Sequence, residues 1–229
     1  RVRAAGGETM MLARKFLVTA LVLATSVAYG QTPTPESLLN SLKTKWTAIQ
    51  DYQCMMRSRN RLGDLKDEKK FQFSFKKPHQ VRTEVTDGDK KGSVLTRDAT
   101  GKIRGKKGGV LGIVAITLSE DDERVTNLRG RKFYLADWGS VIKEYFDAAN
   151  KGWKLTQLPD ERFNESDCYV LQMEGRDSRS PVTKDVIYID KASSLILCRR
   201  QYEGQTLVNE VVWWDIHLNL GLDDSLFTL

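Results

Sequence analysis

The residues of this chain able to make or break bonds are few: two histidines, three cysteines and some clustered acids. His79 follows Pro78 in a turn-like stretch, and His217 ends an alternating run. Neither sits in a motif that supplies the other members of a nucleophilic triad. Cys54, Cys168 and Cys198 form no CxxC, and two histidines give no metal-ligand spacing. Asp121-Asp122-Glu123 and Asp223-Asp224 pair carboxylates in turn contexts without the spacing of a calcium loop. Gly105, Gly108, Gly109 and Gly112 match neither a P-loop nor a dinucleotide fingerprint. No catalytic residue, metal or cofactor is therefore expected, and the chain reads as a binder rather than an enzyme.

Binding chemistry is better supplied. Phe71, Phe73 and Phe75 alternate with Gln72, Ser74 and Lys76, and alternate strand residues share a face, so one face of this strand is aromatic. Such a face either fills an ordinary core or lines an apolar site. Val141, Ile142, Tyr145 and Phe146 recur at helical spacing and form a stripe able to cover it. An apolar ligand site is expected between the two. Arg82, in the next alternating run, reads from the residues alone as a solvated or salt-bridged surface group. Adjacent strand residues point to opposite faces, so one indole of Trp213-Trp214 should face the concavity and the other the outside. Residues 101–109, with Lys102, Arg104, Lys106 and Lys107, read as a basic hairpin tip. That tip is either simply solvated or docked on anionic headgroups or an acidic partner.

These side chains need elements to hold them. Residues 1–30 read as upstream residues and a secretory signal peptide: Arg14 and Lys15 precede an apolar run over 16–28, and the small residues Ala28 and Gly30 suit cleavage. The mature chain is expected to begin near Gln31, to be soluble and exported, and to form one domain over 31–229. Removing residues 1–30 lowers the formal charge from +6 to +3, so the basic balance does not point to nucleic acid. No cysteine follows the cleavage point to carry acyl chains, the nearest being Cys54.

Thr34-Pro35-Glu36 is a helix start, and Leu38, Leu42, Trp46 and Ile49 give the apolar stripe of a helix over 35–50. Period-two runs follow at 52–62, 66–77, 81–85 and 93–98, with a further buried-looking strand at 110–118. A second helix is expected over 137–150, with Asp137 or Ser140 as its cap and Gly152 after its end. Runs at 153–162, 168–173, 183–189, 195–202 and 207–217 complete the chain. Short connections exclude parallel pairing. The fold class expected is α+β: one curved, mainly antiparallel sheet of about ten strands, with helices covering its concave face.

The stretch Phe71-Gln-Phe-Ser-Phe-Lys-Lys-Pro78-His-Gln-Val-Arg82, the run Asp190-Lys-Ala before an apolar strand, and the ending Asn219-Leu-Gly-Leu-Asp-Asp-Ser-Leu-Phe227 resemble the LolA/LolB lipoprotein-carrier family. The RseB amino-terminal domain and related exported proteins are similar. Asp98-Ala-Thr-Gly101-Lys102-Ile103 only loosely matches the family's Asp-Gly-Lys and aromatic strand. The resemblance implies an unclosed β-barrel whose apolar cavity takes up acyl chains of lipoproteins or another amphiphile. It carries over the aromatic face of Phe71, Phe73 and Phe75 as cavity lining and the position of Arg82 as a polar contact at the lid. The expected function is a periplasmic carrier or chaperone. The alternative is an envelope sensor or protein-interaction module on the same fold. Cys168 and Cys198 are expected one strand apart, about 10 Å, too far for a disulfide.

Overall fold

Thr34 opens the first helix. Its hydroxyl accepts from the amide of Ser37 at 3.2 Å, and Pro35 occupies the first helical position, so α1 runs Pro35–Ala48. This is a computed structural model, which describes residues 33–88, 90–109, 114–178 and 180–229. The leader-like residues 1–30 and the expected start near Gln31 lie outside them. Pro33–Leu229 forms one compact unit.

After α1 the period changes to two. Six strands follow as a meander: β1 (Asp51–Leu62), β2 (Leu65–Lys76), β3 (Gln80–Val85), β4 (Val94–Arg97), β5 (Ile103–Lys106) and β6 (Ile116–Leu118). The α2 helix (Trp138–Asn150) then intervenes before β7 (Lys154–Phe163), β8 (Ser166–Glu174), β9 (Lys184–Asp190), β10 (Ile196–Glu203) and β11 (Thr206–Leu218). Asp137 is the cap of α2, accepting from the amide of Ser140 at 3.0 Å, and Gly152 follows its end at a φ of +80°. The eleven strands among the described residues make one antiparallel sheet in the order β6-β5-β4-β3-β2-β1-β11-β10-β9-β8-β7. The first and last strands, β1 and β11, join the two meanders. The sheet does not close: β6 and β7 are its two edges.

Two readings of the chain need correction. Residues 101–109 are not simply a hairpin tip: β5 lies within them, with Ile103 buried and Arg104 reaching the Leu229 carbonyl on the outer face. Of the strand expected over 110–118 only Ile116–Leu118 is β-structure among the described residues, and 110–113 lie outside them.

Both helices pack on one face of the sheet, which we call inner. Tyr52, Phe73, Phe75, Trp138, Leu42 and Ile187 belong to the core they enclose. Tyr52 and Trp138 stack with ring centroids 4.3 Å apart, and Trp46 of α1 closes on Phe75 at 5.1 Å. Such aromatic pairs contribute about 0.5–1.5 kcal/mol each beyond burial. The outer face is covered in part by the chain end. Asp51 accepts the amides of Leu220, Gly221 and Leu222, and this leads into a turn that buries Phe227. A second apolar cluster on β8–β11 holds Cys168 and Cys198, and all three cysteines are buried free thiols.

Candidate functional site: a cavity on the inner face

The inner face of β1–β6, with β10 and β11 beside it, is not filled by the helices, and a cavity of about 650 Å³ remains there. Its opposite wall is residues 119–137, two short helical turns joined by irregular chain, together with Val141 of α2. Met56, Phe71, Val85, Val211, Trp213 and Phe133 give it apolar surface. The volume lies within the range of about 300–1,000 Å³ typical of small-ligand sites. Gly105 keeps part of this space open: a Cβ there would stand 2.8 Å from Leu118 and 3.1 Å from Leu95.

An asparagine knot fastens the irregular wall to the sheet. Asn127 and Asn209 donate from their side-chain amides to the Oδ1 of Asn60, at 2.8 and 3.1 Å, and Asn60 donates to Ser58. The Oδ1 of Asn127 in turn accepts the amides of Arg129 and Arg131, folding residues 127–131 into a tight loop.

Beside the knot lies a buried charge network. Arg199 donates Nε to both oxygens of Asp185, at 3.1 and 3.0 Å, and Nη2 to Asp185 and Glu144 at 2.5 and 2.6 Å. Arg131 donates to Glu144 at 2.7 Å, and Tyr145 and Gln201 donate to Asp185. Burial alone disfavours the charge on Arg199, yet Asp185 and Glu144 outweigh it and raise its pKa. At Arg131 burial prevails over Glu144 and lowers it. Burial would raise Glu144, but Arg199 and Arg131 together hold it below the ordinary range. Burial also raises Asp137 and lifts the Tyr145 phenol well above its usual value, so that hydroxyl stays a donor.

The residues expected to form the site are divided by the fold. Phe71 and Val141 line the cavity. Phe73 and Phe75 share the face of Phe71 but stack against Tyr52 in the closed core beneath the helices. Ile142 lines a small crevice with Leu42, Trp46 and Ile196, Tyr145 serves the charge network, and Phe146 lies 5.4 Å from the Lys43 ammonium. Arg82 is on the outer face, bonded to Glu84 at 2.8 Å and to the Leu226 carbonyl. Residues 119–137 were not expected to contribute; lacking periodicity, they give no sequence signal. Trp213, 2% exposed, borders the cavity, whereas Trp214 is 37% exposed on the other face. Among the described residues no group of three or more His, Cys, Asp or Glu is placed to hold a metal. No helix among them is long and apolar enough to cross a membrane.

No family model and no curated protein matches the chain by sequence. Solved structures do match. An uncharacterized conserved protein from Thermus thermophilus aligns at 9% identity over 85% of this chain and 92% of that one, with a TM-score of 0.51. MucB aligns at 13% identity over 85% of this chain and 62% of its own, also at 0.51. A LolA superfamily protein from Nitrosomonas europaea aligns at 16% identity over 86% and 99%, with a TM-score of 0.38. At such identities the likeness is one of fold. The fold shared with the uncharacterized Thermus protein and MucB is one antiparallel sheet left open between β6 and β7, with helices against its inner face.

Proposed function

We propose that this protein is an exported carrier or chaperone that holds the apolar part of an amphiphile, such as the acyl chain of a lipoprotein, in the inner-face cavity. The observation that carries this reading is the cavity itself: about 650 Å³ walled by Met56, Phe71, Val85, Val211, Trp213 and Phe133. An acyl chain in water costs roughly 0.8 kcal/mol per exposed CH₂, so a mobile apolar pocket is what its transfer requires. Phe71 and Val141 are assigned direct contact with the tail, and Phe73, Phe75, Ile142, Tyr145 and Phe146 the support of the wall. The leader-like segment before residue 31 supports export. The competing role is an envelope sensor that recognises a protein on the same fold.

The test is mass analysis of the protein purified from its own host. A co-purifying lipid, released by organic extraction, is the expected result. A stoichiometric protein partner with no lipid would favour the sensor and overturn the carrier.

A further inference from the structure

We infer that the end of the sheet at which the cavity opens is a docking surface for anionic lipid bilayers. The alternation of strand direction places five turns at one end: β1–β2, β3–β4, β5–β6, β8–β9 and β10–β11. Cavity-lining residues at that end include the exposed Lys90, Lys106, Lys107 and Val114, so the cavity meets solvent there. β3 pairs only with the half of β2 that begins at Phe71. Residues 65–69 therefore carry the β1–β2 hairpin about 17 Å past β3, at about 3.4 Å per residue.

The tip of this projecting hairpin is apolar. Leu62 and Leu65 flank its turn and are 48 and 62% exposed. Extending the Asn60↔Asn209 pairing by two residues brings Leu207 of the neighbouring turn opposite Leu62, and Leu207 is 40% exposed. At this end of the sheet the charge leans positive. Arg61, Lys66, Lys90, Lys91, Lys106 and Lys107 have no carboxylate within ion-pair distance among the described residues. Asp67, Asp87, Asp177 and Glu203 at this end are engaged by Lys69, Lys70, Lys151 and Arg129, leaving Asp64 and Glu174 as acids without a cation among those residues. Apolar tips that project furthest, with Arg61 and Lys66 beside them and Lys90, Lys91, Lys106 and Lys107 on turns set back from them, are complementary to a bilayer whose headgroups are negative and whose interior is apolar. Protruding leucines together with cations unpaired among the described residues favour a bilayer over an uncharged protein surface. The surface also sits where a lipid tail could pass directly into the cavity, although docking itself does not depend on what the cavity holds.

The experiment is vesicle flotation of residues 33–229. Phosphatidylethanolamine–phosphatidylglycerol vesicles should capture the protein and phosphatidylcholine vesicles should not, and added salt should weaken capture. Leu62→Ser combined with Leu65→Ser should lower partitioning about tenfold or more. Neither leucine lines the cavity, so the melting temperature and the uptake of a fluorescent fatty acid should be unchanged. Lys66→Gln with Lys91→Gln should weaken capture and flatten its salt dependence. Protein that stays with the aqueous phase, whether monomeric or self-associated through these leucines, overturns the inference, as does undiminished capture of the serine variant. Capture without fatty-acid uptake would sustain the docking surface and count against the cavity's proposed role.

Discussion

The guanidinium of Arg199 meets the carboxylate of Asp185 through two nitrogens, Nε at 3.0–3.1 Å and Nη2 at 2.5 Å, inside the protein where both side chains are almost wholly covered. β9 and β10 hold the pair from adjacent strands, while Glu144 reaches it from α2, so the contact also ties helix to sheet. Removing one partner strands the other without water. Arg199→Met should therefore lower stability by about 3–5 kcal/mol in urea denaturation. Adding Asp185→Leu to Arg199→Met should recover part of that loss.

Two acids, half-buried Glu144 and buried Asp137, should respond to pH in opposite directions. The folded pKa of Glu144 is depressed, because Arg199 and Arg131 outweigh the effect of burial. Its contribution is present above the unfolded carboxylate pKa and is lost as pH falls through the folded one. Burial raises Asp137, so its contribution runs the other way, full below the unfolded pKa and lost as pH rises through the folded value. Melting temperatures across the acid range should thus show a shallower acid decline in Glu144→Gln. Asp137→Asn, which keeps a capping oxygen, should gain most near neutrality.

Gly139 stands against the indole of Trp46, where a Cβ would come within 2.5 Å of the ring. The first turn of α2 can approach α1 because this position carries no side chain. Gly139→Ala should push Trp46 off Phe75 and cost about 1–3 kcal/mol, the usual range for overpacking. Trp46 fluorescence should shift with it.

The three thiols should be silent in the folded protein. Burial pushes Cys198 up to about 12, against a weaker downward pull from Arg200. Burial raises Cys54 and Cys168 as well. A thiol reagent at mildly alkaline pH should find no fast-reacting cysteine in native protein and all three in denaturant.

Much of the fold was legible because its signals are local. Thr34-Pro35 and Asp137 start helices by their own hydrogen-bonding chemistry, and alternation revealed most strands. β5 was hidden because its inward positions are Ile103 and Gly105, and the glycine offers no apolar side chain to complete the pattern. The cavity was legible only in part. Alternation places Phe71, Phe73 and Phe75 on one face, but which of them a helix covers depends on register: Phe73 and Phe75 pair with Cys54 and Tyr52, beneath the helices, while Phe71 pairs with Met56 in the cavity wall. The far wall depends on Asn60, Asn127 and Asn209 meeting across 67 and 149 residues of chain, which no local pattern encodes.

The most direct test of the cavity's role is a fluorescence titration of residues 33–229 with a fatty acid bearing an environment-sensitive fluorophore. It should compare the unsubstituted protein with Val85→Trp, whose added ring would occupy space between Phe71 and the irregular wall. The account predicts saturable binding in the first and a loss of about tenfold or more in the second, equivalent to about 1.4 kcal/mol, with both proteins folded by circular dichroism. Absence of saturable binding across several acyl ligands, or equal binding by the folded Val85→Trp protein, would contradict it.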